Sequence, residues 1–194
     1  KSYIITYDTM LDSPDDVVNT ATLDSISASA GLTGNTHNRI YKYIRTHIEN
    51  NETVYDDLDM GKKTMVFYIY VEPNRAPMEN IVIDDTFIYK GLAIEKSDIK
   101  FSGETITDDD YTFEKKADAT EGFILKIKKP ISNKLTIETT AKFTRNDNTS
   151  PNKTHFPNEI NATWKDKYNE TNHNDNQVEY VIPKDLVEEA YKNN

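Results

Sequence analysis

The feature that most constrains the fold is a period-two alternation of apolar and polar residues that recurs through most of the chain. In an extended strand successive side chains point to opposite faces, so this alternation predicts strands that are buried on one side. Residues that favour turns, such as "EPNRAP" and "RNDNTSPNKTH", separate the alternating segments and predict an antiparallel, all-β sandwich of short strands. The segments are "MVFYIYV" (65–71), "NIVIDDTF" (80–87), "YTFEKK" (111–116), "FILKIKK" (123–129), "KLTIETTAKFT" (134–144) and "EINATW" (159–164).

Helical signals are weaker than strand signals. The best helical segment is 182–193, "IPKDLVEEAYKN", because Pro183 suits a first helical turn and acidic residues follow it. The segment 39–48, "RIYKYIRTHI", has the composition of a helix or a strand, but the alternation at its start favours a strand. We therefore expect a sandwich with one short C-terminal helix.

Composition and charge exclude several classes of function. The 194 residues contain no cysteine, which excludes disulfides, thiolate metal sites and cysteine nucleophiles. The net charge of −10 argues against a surface for nucleic acid or for anionic membranes. No run is long and apolar enough to span a membrane, so we expect no membrane insertion of this fragment. The chain starts at Lys1 rather than Met, and we expect it to be part of a longer protein.

The sequence lacks the common motifs of enzyme active sites. There is no phosphate-binding glycine loop, nucleophile elbow or paired-carboxylate motif, so we expect no enzyme, no cofactor and no metal. The acidic clusters "YDDLD" (55–59) and "TDDDY" (107–111) lack the glycine and the long ligand loop of a dedicated calcium site, and a solvated face explains them better.

Two hairpin-like stretches resemble one another. The segment "IITYDTML" (4–11) matches "KLTIETTAKF" (134–143), and each is followed by an Asn-led strand, at Asn19 and at Asn158. We interpret residues 1–25 as the terminal strands of a preceding module, 26–38 as a linker, and 39–194 as one complete module. The alternative is that two strands of one sheet share a β-rich composition.

The order of these segments resembles a known family. The runs "MVFYIYVEPNRAPMENIVIDDTF", "DIKFSGETITDDDYTF", "LTIETTAKFT" and "FPNEINATW" look like Gram-positive surface adhesins, in particular collagen-adhesin-type immunoglobulin-like domains and the isopeptide-forming domains of sortase-assembled pili. The resemblance covers roughly residues 39–170, together with residues 1–25 as the end of a neighbouring module. It implies an immunoglobulin-like sandwich whose last strand begins with Asn.

The resemblance also implies an intramolecular isopeptide bond between a Lys on the first strand and an Asn on the last, assisted by a buried acid. Such chemistry needs a neutral amine, which burial among apolar groups favours. It also needs a carboxylic acid that polarises the carboxamide and transfers protons as ammonia leaves. All three side chains have to point into the same core, which sets their parity along the strands.

The acid maps to Asp85, which shares its strand face with Ile81 and Ile83. The amide maps to Asn158, which shares parity with the apolar residues of "NEINATW", while Asn161 on the opposite face is the runner-up. The alternatives are structural: Asp85 could cap a turn at the end of a strand, and Asn158 could be a solvated residue that opens one.

The amine maps to Lys42, between apolar residues in "RIYKYI" and ahead of the "FYIYV" strand. Its spacing to that strand is longer than the family pattern, which leaves the assignment open. Lys62 and Lys63 are nearer, but they lie beside Gly61 in a turn.

Three functions are compatible with these observations. The first is a structural or ligand-binding module of a Gram-positive adhesin or pilus, extracellular at the cell wall, cross-linked by its own chemistry and adjoining further modules. The second is the same fold without the bond, which binds a host matrix or plasma protein such as collagen or fibrinogen. The third is a carbohydrate-binding sandwich, which predicts exposed aromatic side chains on one sheet face.

Overall fold

Antiparallel strands account for most of the chain in a computed structural model, which describes residues 17–23, 26–32, 38–74, 76–116, 121–143, 154–166, 169 and 171–192. In chain order the strands are β1 (Val17–Leu23), β2 (Ile26–Leu32), β3 (Arg39–Tyr43), β4 (Thr46–Glu49), β5 (Glu52–Tyr55), β6 (Leu58–Asp59), β7 (Thr64–Glu72), β8 (Glu79–Phe87), β9 (Leu92–Ala93), β10 (Ile99–Ser102), β11 (Tyr111–Lys115), β12 (Gly122–Ile127), β13 (Leu135–Phe143), β14 (His155–Lys165) and β15 (Thr171–Val181). A 3-10 turn spans Lys96–Asp98, and helix α1 spans Lys184–Lys192.

Two antiparallel sheets form the body of the molecule. The first has the order β10-β13-β7-β3, with β6 beside β7 and β9 beside β13. The second has the order β11-β12-β8-β14-β15. Two further hairpins, β1–β2 and β4–β5, are separate two-stranded sheets. The predicted all-β, immunoglobulin-like sandwich is confirmed.

The core lies between the inner faces of the two sheets. Along β8 and β13 buried residues alternate with more exposed ones, as the period-two pattern predicts. Phe67 on β7 packs against Phe87 and Tyr180 of the opposite sheet, with ring centroids 6.2 and 5.3 Å apart. The Tyr180 hydroxyl donates to the Val66 carbonyl oxygen at 2.7 Å, so a polar contact also joins the sheets.

The predicted C-terminal helix is present as α1. Its Val187 and Ala190 are buried in the core, and Tyr191 packs on Phe143 with ring centroids 5.8 Å apart. The part of the chain that the structure describes contains no helix with the length and apolar character needed to cross a membrane.

The ambiguous segment 39–48 is extended, because β3 and β4 occupy most of it. The prediction that the Asn-led strand is the last one is wrong: β15 follows β14 and pairs with it along its whole length. Sequence patterns missed β15 because "TNHNDNQVEYV" is rich in Asn and Asp, which strands disfavour. Its pairing with β14 and its contacts with the other sheet outweigh that preference.

Part of the predicted linker 26–38 is a strand. Residues of β2 pair with β1 from Leu23↔Ile26 to Val17↔Leu32. The alternation in "ISASAGL" is carried mostly by small residues, which makes it a weak signal. The repeat segment 4–11 lies outside the described residues, and the division into a preceding module and a main module stays a prediction.

Gly122 opens β12 at a point where the chain approaches β8 closely. Its φ is +114°, and a Cβ at this position would lie 2.0 Å from the carbonyl oxygen of Asp85. Both the backbone conformation and the close approach therefore require glycine.

We expect Gly122→Ala to lower the free energy of unfolding by about 1–3 kcal/mol or more, from backbone strain and displacement of β8. The matched control is Gly61→Ala in an exposed turn, where the nearest atom to a new Cβ is the side-chain oxygen of Asp59 at 3.3 Å. Urea unfolding of both variants measures the difference. Equal stabilities would contradict the argument.

Candidate functional site: a buried lysine, aspartate and asparagine

Few polar side chains are buried in the described part of the sandwich, and three of them meet at one point. Lys42, Asp85 and Asn158 are exposed by 2%, 0% and 0%, in a core that is otherwise apolar except for Thr139. They come from β3, β8 and β14, and thus from both sheets. The structure therefore brings together all three residues selected from the sequence.

Strand parity and register explain why these side chains converge. Asp85 follows the buried Ile81 and Ile83 at two-residue steps along β8. On the neighbouring β14, Ile160 pairs directly with Asp85, and Asn158 pairs with Phe87. Asn158 is therefore a diagonal neighbour of Asp85 on the same inner face, within reach of a polar contact.

Lys42 reaches the cluster from the other sheet. It lies near the end of β3, opposite Ile69 on β7, and its side chain is fully buried. The ammonium nitrogen lies 4.9 Å from the centre of the Phe67 ring. The long aliphatic stem of lysine lets the nitrogen cross between the sheets.

The Asp85 carboxyl group is the centre of the cluster. Lys42 Nζ donates to Asp85 Oδ2, and Asn158 Nδ2 donates to Asp85 Oδ1 at 2.6 Å. Asn158 Nδ2 also donates to the Thr86 carbonyl oxygen at 2.8 Å. Asn158 Oδ1 is buried and accepts no hydrogen bond from the described residues. The carboxyl group therefore bridges the amine and the carboxamide.

Burial dominates the electrostatics of Lys42. Removal from water lowers the pKa of Lys42, and the nearby Asp85 opposes that shift through its charge and its hydrogen bond. A lower pKa increases the fraction of neutral amine, which is the nucleophilic form. The cluster thus places an amine, a carboxyl group and a carboxamide in contact within one buried site.

The runner-up residues lie outside this cluster. Asn161 is exposed and contacts Glu159 at 3.4 Å. Lys62 has a side chain that is 81% exposed and pairs with Asp59 in the turn before β7. Lys63 has a left-handed backbone conformation with φ of 58° in the same turn.

One residue beside the site was not selected from the sequence. Asn176, on β15, exchanges two hydrogen bonds with the backbone of Lys42. No sequence signal marked it, because β15 itself was not recognised and Asn is frequent in this chain.

The acidic clusters considered for calcium hold other partners. Asp108 pairs with Lys96 at 2.9 Å, and Asp110 accepts hydrogen bonds from Thr107. In the described ranges no group of three or more metal-ligating side chains is arranged to hold an ion.

Comparison with known proteins identifies the fold class. No family model and no curated protein sequence matches the chain. Among solved structures, one of the Enterococcus faecalis MSCRAMM ACE, described as binding its ligands by the collagen hug model, is similar with a TM-score of 0.51. It is 11% identical over 89% of this chain and 61% of that chain.

Two further neighbours have lower scores. The collagen-binding subdomain of the Enterococcus faecalis surface protein ACE has a TM-score of 0.47 and 12% identity over 61% of this chain and 88% of that chain. Domains D2 and D3 of the major pilin SpaD of Corynebacterium diphtheriae have a TM-score of 0.46 and 16% identity over 61% of this chain and 47% of that chain. These three solved structures belong to a Gram-positive collagen-binding adhesin and a major pilin, the two classes that the sequence resemblance indicates, and at these identities the likeness shows the fold.

The buried contact between Lys42 and Asp85 predicts an asymmetric response to mutation. We expect Lys42→Met to be less stable than the triple variant Lys42→Met/Asp85→Val/Asn158→Leu by about 1–3 kcal/mol. The single variant leaves a buried carboxyl group without its cation, whereas the triple variant replaces every polar group of the cluster by an apolar one. Neither variant has the amine, so a cross-link cannot affect the comparison. Urea unfolding measures it through the fluorescence of the buried Trp164, the only tryptophan in the chain.

The matched control is an exposed pair. Lys100 donates to Glu138 at 3.1 Å, and its side chain is 71% exposed. Lys100→Met should change stability little, because solvent screens such pairs. A single variant Lys42→Met as stable as the triple variant would contradict the proposed cost of the unpaired carboxyl group.

Proposed function

We propose that this chain is a module of a Gram-positive surface adhesin or pilus protein in which Lys42 and Asn158 form an autocatalytic isopeptide bond. The observation that carries the proposal is the fully buried contact of Lys42 and Asn158 with one carboxyl group, that of Asp85. Buried polar clusters of this kind are costly unless they are fully paired, and Asn158 Oδ1 has no donor among the described residues. A chemical role accounts for that cost.

The proposed reaction is an acyl transfer that releases ammonia. The neutral Lys42 Nζ attacks Cγ of Asn158, so a new N–C bond forms and the Cγ–Nδ2 bond breaks. One proton leaves Nζ, and one proton joins Nδ2 so that it departs as ammonia. No oxidant or cofactor is needed, and Asp85 ends as it began.

The geometry favours Asp85 as the proton carrier between the two nitrogens. One carboxyl oxygen contacts Lys42 Nζ and the other contacts Asn158 Nδ2, which is the leaving nitrogen. A proton taken from the amine at Oδ2 therefore has a route to the leaving group from Oδ1. For Asp85 to polarise the amide oxygen as well, the Asn158 carboxamide has to rotate, since its nitrogen faces the carboxyl group.

The bond would join the two sheets covalently. Lys42 lies on an edge strand of one sheet, and Asn158 lies on a central strand of the other. A cross-link that closes a loop of about 100 residues removes roughly 4–5 kcal/mol of unfolded-state entropy. In a chain without cysteine such a link would perform the stabilising role that disulfides have in other extracellular proteins.

Intact mass under denaturing conditions tests the proposal. We expect the protein to be lighter than its sequence mass by one molecule of ammonia, and peptide mapping to join the Lys42 and Asn158 peptides. Lys42→Ala, Asn158→Ala and Asp85→Ala should each have the full sequence mass. The first two should also unfold at a lower denaturant concentration, because the lost cross-link lowers their free energy of unfolding by roughly 4–5 kcal/mol.

The matched control is Asn161→Ala, which removes an exposed asparagine from the same strand. This variant should still be lighter than its own sequence mass by one molecule of ammonia. An unmodified wild-type mass would exclude the self-cross-linking. The remaining proposal would then be a non-covalent module.

A second candidate function is ligand binding on the outer face of the first sheet. Tyr41 and Tyr43 pack on Tyr70 with ring centroids 5.3 and 6.1 Å apart, and the Tyr43 side chain is 41% exposed. Arg39 and Lys134 lie over two of these rings, at 4.9 and 4.4 Å from their centres. Tyrosine and arginine side chains are enriched at the binding surfaces of proteins. The proposed ligand is a matrix protein, with a carbohydrate as the alternative.

We expect Tyr43→Ala to weaken binding to collagen by about tenfold, as truncation of a tyrosine at an interface hot spot does. Ile88→Ala is the control, because Ile88 is equally exposed at 42% but directly follows β8 of the other sheet. Surface plasmon resonance on immobilised collagen measures both variants. Binding only to a glycan array would favour the carbohydrate, and equal binding of the two variants would exclude this face.

A further inference from the structure

The backbone of Lys42 is held by a side chain from the opposite sheet. β3 is an edge strand with β7 on one side, and the Lys42 N–H and C=O point to the other side. There the N–H donates to Asn176 Oδ1 at 2.6 Å, and the carbonyl oxygen accepts from Asn176 Nδ2 at 2.9 Å. The Asn176 carboxamide thus supplies the two hydrogen bonds that a neighbouring strand would otherwise make with Lys42 at this edge.

Asn176 is also connected to the strand that carries the amide. On β15 it pairs with Ile160 of β14, while the next residue but one, Val178, pairs with Asn158. The backbone of Lys42 is therefore linked to Asn158 through the Asn176 carboxamide and the pairing of β15 with β14. The side chain of Asn176 is half-buried, which strengthens its hydrogen bonds relative to a solvated contact.

We propose that Asn176 is a positioning residue for isopeptide formation, which clamps the Lys42 backbone in register with Asn158. This inference rests on the proposed function. β3 has only five residues and one strand neighbour along its length, so few other backbone contacts oppose its sliding or fraying at Lys42. An amine that drifts from Asp85 loses both its proton acceptor and its approach to the amide carbon, and small displacements of this kind slow reactions strongly.

Three variants separate positioning from general stability. Asn176→Leu keeps the size of the side chain and removes both hydrogen bonds. Asn176→Gln keeps the carboxamide on a stem that is one methylene longer. Asn174→Ala is the control, because Asn174 lies on the same face of β15 and its Nδ2 donates to the Asp175 carbonyl oxygen at 3.3 Å.

The experiment is a pulse-chase of the full chain in cell-free synthesis, with the cross-linked fraction measured by intact mass at each time. The folded fraction is followed in parallel by resistance to protease, so that rates refer to folded protein. We expect Asn176→Leu to cross-link about tenfold more slowly or worse, since two hydrogen bonds of ordinary strength are lost. We expect Asn176→Gln to recover much of the rate, and Asn174→Ala to match the wild type.

The outcomes distinguish the two proposals. A wild type that never loses ammonia overturns the proposed function, and the positioning role with it. A wild type that cross-links while folded Asn176→Leu cross-links at the same rate overturns the positioning role alone and leaves Asn176 with a structural one. If Asn176→Leu does not fold, Asn176→Ala takes its place, because it also removes both hydrogen bonds. A folded Asn176→Ala that cross-links at the wild-type rate overturns the positioning role.

Discussion

The interaction on which the structure depends most is the buried contact between Lys42 and Asp85. Removing an amine and a carboxylic acid from water costs several kcal/mol for each ion unless the two groups share a proton and their remaining hydrogen bonds are satisfied. That requirement constrains β3, β8 and β14 at once, because a shift of one residue in any of them would turn its polar group to the outer face. The apolar residues around the cluster make the requirement strict, since they offer no hydrogen bond to replace a missing partner.

The strand β15 completes this arrangement from outside the core. It pairs with β14 along its whole length, and two of its side chains cross to the other sheet. Tyr180 reaches the backbone of β7, and Asn176 reaches the backbone of β3. The two sheets are thus held together by polar contacts at their edge as well as by the apolar core, close to the point where a covalent link would form.

Much of the fold and of the site could be predicted from the chain. Period-two alternation identified β7, β8, β11, β12, β13 and β14. Once the family resemblance had pointed to Asp85 and Asn158, parity placed both on inner faces, where the structure has them. The strand β15 was not predicted, because its Asn-rich sequence has a low strand propensity and the tertiary pairing that stabilises it cannot be read from the sequence. The strand β2 was not predicted, because the alternation of small residues in its sequence is a weak strand signal.

The sequence by itself determined which residue types can fill a core face, because strand periodicity is a local property of the backbone. It also determined the absence of disulfides and thiolate sites, since the chain has no cysteine. Only the tertiary structure decided that one lysine among many meets Asp85, and that Asn176 holds its backbone. Those contacts join residues far apart in the chain, and their distances depend on how two sheets pack, which no local pattern encodes.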